Sequence, residues 1–126
     1  MNLNKAELIG NLTADPTVKK LPSGSSVASF TVATSRSWKV GDEARKEVEF
    51  HPVVAWGQLG QVVARYLKKG DKVYVEGRLK TTRFQGKQGR GVAKTEVVAQ
   101  NLIMLGGAPG KSEEKTNDAV VVEETG

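Results

Sequence analysis

Glu47-Val48-Glu49-Phe50-His51-Pro52-Val53-Val54-Ala55-Trp56 sorts by parity. Val48, Phe50, Val54 and Trp56 fall on one side; Glu47, Glu49, His51, Val53 and Ala55 fall on the other. Period-two alternation rich in β-branched and aromatic residues reads as a strand. Two aromatics on one side point to a face built for something flat, and a hairpin would bring Trp38 alongside them. The competing reading makes Phe50 and Trp56 ordinary core residues.

Working outward, Val27 to Trp38 reads as a second long strand, joined to the first by a charged loop over Val40 to Lys46. Asn2 to Asn11 reads as the opening strand, with Leu3, Leu8 and Ile9 apolar. Asp15-Pro16 marks a turn, and Thr17 to Leu21 a short continuation carrying Lys19 and Lys20. On the C-terminal side the period changes. Leu59, Val62, Val63, Tyr66 and Leu67 form one apolar stripe at helical spacing within Gly57 to Lys69. Lys68 and Lys69 suit its negative end, with Gly70 as the C-terminal cap. The helix opens without a capping side chain and contains Gly60, so packing has to hold it. Asp71 to Phe84 and Val92 to Leu105 read as two further strands. Gly77 inside the former predicts a bulge or bend, and Gln85 to Gly91 a hairpin loop.

Three strands, one helix and two strands is the plan of the five-stranded Greek-key barrel known as the OB-fold, all-β but for the helix. An SH3-like barrel competes, but rarely carries a helix in this place. The expected domain is 1–106, followed by a disordered acidic tail over 107–126.

The 126 residues fit one such domain, and 38% hydrophobic content allows a modest core. Cysteine is absent, which removes disulfide and thiol chemistry and fits a reducing compartment. No apolar run approaches the ~20 residues of a membrane helix, and the N-terminus lacks a signal-peptide layout. The net charge of +5 conceals an asymmetry: residues 111–126 hold two Lys and five acids, leaving 17 basic and 9 acidic residues on 1–110. A basic body suits a polyanion.

Enzyme motifs are missing. There is no Gly-x-Ser-x-Gly elbow, phosphate-binding loop, metal-ligand spacing or dinucleotide fingerprint. No catalytic residue, metal ligand or cofactor is therefore expected. The positive signal is aromatics interleaved with cations on extended strands. Trp38 is flanked by Arg36 and Lys39. Phe84 is flanked by Arg83 and shares strand parity with Arg78 and Lys80. Single-stranded nucleic acid requires this combination, since bases stack at about 1–3 kcal/mol each and phosphates need a cationic track. Lys87 and Arg90 make the glycine-rich hairpin a basic finger, and Lys5 and Lys19 add charge to the N-terminal strands.

These stretches resemble the bacterial and mitochondrial single-stranded DNA-binding protein family. The resemblance runs through Asn4 to Asn11 with Asp15-Pro16, Ala-Thr-Ser before Trp38, Phe50-His51, Trp56-Gly57, Tyr66-Leu67 and Lys69-Gly70. It continues through Val73 to Gly77, Thr95 to Val98 and Met104 to Gly107, covering about residues 3–107. It implies an OB-fold homotetramer that wraps single-stranded DNA in replication, recombination and repair, in a cytoplasmic, nucleoid-associated setting. Trp38, Phe50, Trp56 and Phe84 fall where the family places base-stacking aromatics, and His51 and Tyr74 where it places subunit contacts. Pro52 departs from a usually basic position, implying a bulged or edge-like strand. The family's bacterial members dock replication and repair proteins through an acidic tip ending Pro-Phe. This chain's acidic tail ends Val120-Val121-Val122-Glu123-Glu124-Thr125-Gly126 instead.

Overall fold

The alternation around Phe50 extends well beyond the quoted decapeptide. The computed structural model describes residues 1–86, 89 and 91–106, together with the backbone of 120–123. In it a strand β4 covers Glu43–Trp56, preceded by β1 (Ala6–Leu12), β2 (Thr17–Lys20) and β3 (Ser26–Val40). A helix α1 (Gly57–Tyr66) follows, then β5 (Lys72–Gln85), β6 (Gly91–Gly106) and a short β7 (Val120–Glu123). The expected loop over Val40 to Lys46 shrinks to a turn at Gly41-Asp42, with Gly41 at φ +64°. Its charged residues sit in exposed strand, where both faces meet water and a polar sequence costs nothing.

Five of the strands close on themselves. β1 runs antiparallel to β5 from Ala6↔Gly77 to Asn11↔Lys72, and its end also pairs with β3 at Asn11↔Ala33 and Leu12↔Val32. β3 pairs with β4, and β4 meets β6 in parallel at Val53↔Val97 and Val54↔Val98. β6 returns to β5, completing the five-strand OB-fold barrel. Inside lie Leu12, Phe30, Val32, Val53, Val73, Val75, Val97 and Leu102, with Leu59, Val63 and Leu67 of the helix segment plugging one end. Leu3 and Ile9, expected as apolar strand residues, are exposed; the inward side of β1 is Ala6, Leu8, Gly10 and Leu12.

Two glycines fit the helix and the bend to their neighbours. A Cβ on Gly60 would stand 2.5 Å from the Ala55 carbonyl oxygen, so glycine lets α1 lie directly on β4. A Cβ on Gly77 would stand 2.0 Å from the Val98 carbonyl oxygen, and the β5–β6 register shifts between Glu76 and Gly77, the expected bulge. The helix stops earlier than its apolar stripe. Leu67 is its extended C-cap, Tyr66 is exposed, and Lys68 and Lys69 lie beyond its last turn. Gly70 therefore does not cap it. At φ +93° Gly70 turns the chain so that its N–H donates to the Leu12 carbonyl at 2.9 Å.

Beyond the closed section, β3–β4 and β5–β6 continue as two ribbons, each strand paired only with its neighbour past Ala33↔Phe50 and Val97↔Leu79. The expected tail falls mostly outside the described residues. Within it, Val120–Glu123 forms β7, antiparallel to β6 from Met104↔Val120 to Asn101↔Glu123. A run of three valines has the β-branched character an open sheet edge accepts.

Candidate nucleic-acid interface

Pairing register fixes which side chains share a surface, because directly opposed residues point the same way. Trp56 lies opposite Val27, which lies opposite Lys19. Val54 lies in a row with Ser29 and Thr17 on one side and with Val98 and Arg78 on the other. Phe50 lies opposite Ala33, in a row with Asn11. One outer surface therefore carries Phe50, Trp56, Lys19 and Arg78, and continues along β5 to Lys80 and Phe84. Phe50 is 64% exposed, Trp56 42% and Phe84 50%, so the core reading of these rings does not hold. Six residues of strand set Phe50 and Trp56 about 20 Å apart.

A cleft of about 240 Å³ opens between them. Thr13 and Asp15 of the β1–β2 turn form one wall, Thr31 and Pro52 the floor, and Lys94 and Glu96 the other wall. The Asp15 carboxylate accepts the Lys69 N–H at 2.8 Å, fixing this turn against the segment after the helix. Pro52 causes no bulge: the β3–β4 register runs unbroken from Val27↔Trp56 to Val40↔Glu43. The Thr31 carbonyl accepts the Thr13 N–H at 3.1 Å, so the backbone groups of Thr31 face β1 rather than β4. Thr31↔Pro52 is thus a pair without mutual hydrogen bonds, and the missing proline N–H points to the side where β6 has not yet joined. The strand is edge-like there, as expected, without distortion.

Trp38 is elsewhere. It lies opposite Arg45, which shares parity with Glu47, Glu49 and His51, so Trp38 stands on the opposite face of the β3–β4 ribbon from Phe50 and Trp56. The hairpin does not bring the three rings alongside one another. The Arg36 guanidinium lies over the Trp38 ring, 4.6 Å from its centroid, and its Nε is 3.5 Å from Glu47. Arg45 on the same face pairs with Glu43 at 3.1 Å. Lys39, by contrast, lies opposite Ala44 on the Phe50 face, as does Lys46 opposite Ser37.

On the second ribbon, Arg83 lies opposite Ala93 on the face away from Phe84, while Arg78 and Lys80 share the Phe84 side. Lys87 and Arg90 lie outside the described residues. Among the described residues, Lys19, Lys39, Lys46, Arg78, Lys80 and Arg83 have no ion pair. Lys46 and Lys94 belong to the surface but were not singled out in the sequence; Lys46 sits in the stretch read as a loop, where parity carries no meaning.

Lys5 belongs to a different surface. Its Nζ is 2.9 Å from Glu76, which also accepts the Asn101 side-chain amide at 2.6 Å. The hydrogen bond with Glu76 raises the Lys5 pKa, and the same bond, followed by that from Asn101, lowers that of Glu76. Beside them the Tyr74 hydroxyl donates to Glu7 at 2.8 Å, and this bond raises the Tyr74 pKa. Tyr74 thus lies on the outer face of β1–β5–β6, next to exposed Ile9. His51 has the core-side parity of β4 at the barrel rim, where its Nε2 lies 2.8 Å from the Thr34 hydroxyl. Tyr74 and His51 occupy different surfaces of one protomer. Among the described residues there is no cluster of three or more His, Cys, Asp or Glu suited to a metal ion, and no helix long and apolar enough to cross a membrane.

A family model described as the single-strand binding protein family matches residues 3–105. Among solved structures, the chain is similar to one described as a Plasmodium falciparum SSB complex with ssDNA. The TM-score is 0.71 at 28% identity, covering 98% of this chain and 97% of the other.

Proposed function

Because the chain belongs to the single-strand binding protein family, we propose that the surface running from Trp56 and Phe50 to Phe84 is its track for single-stranded DNA. The protein binds single-stranded DNA and serves, as its family does, in replication, recombination and repair. One observation carries the assignment of the track. Three aromatic rings stand exposed on one barrel surface where packing would have buried them, and Lys19, Lys39, Lys46, Arg78 and Lys80 on that surface have no ion pair among the described residues, Lys94 alone being paired, with Glu96 at 3.4 Å. Each ring offers a stacking platform worth about 1–3 kcal/mol per base, and the lysines and arginines neutralise phosphates without first breaking an internal ion pair. The cleft at Pro52 lies where OB-folds take a strand, between the β1–β2 turn and the β5–β6 ribbon.

The protein works as a homotetramer in the cytoplasm, associated with the nucleoid. Ile9 and Tyr74 on the outer face of β1–β5–β6, and His51 at the rim, are the surfaces through which protomers meet. Joined protomers multiply affinity through effective concentration. The acidic C-terminal segment is the candidate contact for replication and repair proteins.

Tryptophan fluorescence titrated with oligo-dT at several salt concentrations, with sedimentation of the free and bound protein, tests this reading. The expected result is strong quenching, an affinity that falls with salt, and a tetramer. Preference for an equal-length RNA, or binding indifferent to salt, would overturn it.

A further inference from the structure

The two faces of the β3–β4 ribbon differ in electrostatic state. On the Phe50 face Lys39 and Lys46 have no ion pair among the described residues. On the Trp38 face Arg36 is held by Glu47 while covering the indole ring. Arg36 and Glu47 are directly opposed in the register, so the pair spans the ribbon without strain. We propose that Glu47 stands in for a nucleic-acid phosphate at Trp38, holding Arg36 over the ring until DNA displaces it. Glu47 is thereby a positioning residue that delays engagement of the Trp38 face relative to the Phe50 face. This rests on the single-stranded DNA reading above.

The argument is one of exchange. A base that stacks on the covered side of Trp38 needs the space Arg36 occupies. A phosphate arriving with that base offers the guanidinium an anionic oxygen in place of the Glu47 carboxylate oxygen 3.5 Å from its Nε. One ion pair is broken and one is made, and the released Glu47 recruits a cation as the phosphate sheds one. The step therefore gains little from counterion release, whereas a phosphate meeting unpaired Lys39 or Lys46 gains it in full. DNA settles first on the Phe50 face and reaches Trp38 only at higher occupancy.

The test uses full-length protein carrying Trp56→Phe, which leaves Trp38 as the sole tryptophan of the two in the chain. In that background Glu47→Gln removes the competing charge and keeps the shape. Trp38 quenching by oligo-dT should then reach its midpoint at several-fold lower DNA. Its salt dependence should steepen by about 0.7 in log–log slope, the increment for one more phosphate contact on a single strand. Glu49→Gln is the comparison: Glu49 lies on the same face but has no ion pair among the described residues, so it should move the midpoint less and leave the slope unchanged. Equal effects of the two variants would reduce the result to bulk charge and overturn the proposal, as would an unmoved midpoint in Glu47→Gln. Anisotropy of a labelled oligo-dT, read in the same samples, separates this from failure of the function itself. Normal binding by anisotropy with unaltered Trp38 behaviour sinks only the role of Glu47, and no binding at all sinks the DNA reading.

Discussion

Phe50→Ala separates stacking from folding more cleanly than any other change on the proposed track. Phe50 is 64% exposed and faces only the small Ala33 across the ladder. Truncating it therefore leaves no cavity, and the stability of the fold should stay within about 0.5 kcal/mol of the parent. The binding loss should be about 1–3 kcal/mol for one base, or about 5- to 150-fold in Kd at tenfold per 1.4 kcal/mol. A labelled oligonucleotide short enough to meet one protomer keeps avidity from blurring the comparison. Anisotropy gives Kd, and a thermal melt of the same sample gives stability. Phe50→Leu sharpens the test because it keeps apolar volume without a flat ring, so it should fail nearly as badly as Ala. Phe30→Ala is the mirror image: Phe30 is buried in the barrel, and its loss should cost about 3–5 kcal/mol of stability. If Phe50→Ala or Phe50→Leu binds like the parent, Phe50 is no stacking platform and the track runs elsewhere.

Gly77→Ala should melt far lower than the parent or fail to fold, since its Cβ meets the Val98 carbonyl backbone; a melt within a degree of the parent would show the bend to be soft. Glu7→Gln should bring the Tyr74 phenol back toward its ordinary pKa, read by ultraviolet titration, because the Glu7 carboxylate is the main cause of its rise. The Lys5–Glu76 pair contributes between two limits. Glu76, lowered by Lys5, loses its contribution as pH falls through its depressed value, and Lys5, raised by Glu76, loses its own as pH rises through its elevated value. The melting difference between the parent and Lys5→Met should accordingly narrow at both ends of the pH range, and a constant difference into strong acid would refute the pairing. Truncation after Gly107 removes a net charge of −3, so oligo-dT affinity should be equal or slightly higher at low salt, where competition is least screened. The same truncation uncovers the β6 edge at Asn101–Met104, beside fully buried Leu102, and should lower the melting temperature.

The barrel was legible because burial writes itself into period: Val53 and Ala55 inward, Phe50 and Trp56 outward, and Leu59, Val63 and Leu67 at helical spacing. The face on which Trp38 stands was not legible, for a reason of register. Its face depends on a turn of two residues at Gly41-Asp42, and a slip of one residue moves every side chain to the other side. Gly41-Asp42 is a turn signal in itself, but the flanking strands are charged and exposed and read as loop, which hides where the turn fixes the register. Lys5 shows a second limit. A lysine's type says that it wants an anion, but not whether a phosphate or Glu76, 71 positions away in the chain, supplies it. Ile9 and Leu3 are apolar yet exposed, so apolarity alone did not identify the inward side of β1.

The closure of the barrel through β1 has a consequence for how the chain is made. β1 leaves the ribosome well before its partners on β5, Lys72 to Gly77, so all but its β3-paired end waits while the intervening chain is synthesised. The β3–β4 hairpin, by contrast, has a turn of two residues and forms as soon as it emerges. Until β6 arrives, the β4 edge of that hairpin has no partner strand, a template for pairing with a neighbouring nascent chain. Arg45, Lys46, Glu47 and Glu49 lie along that edge, and Pro52 removes a donor from it. Charged residues of the ribbon, Lys46 of the proposed DNA track among them, thus act as gatekeepers against aggregation during synthesis. The parallel contact of β4 with β6 and the docking of β1 on β5 join distant parts of the chain, which places refolding on the millisecond-to-second scale of non-local β topologies.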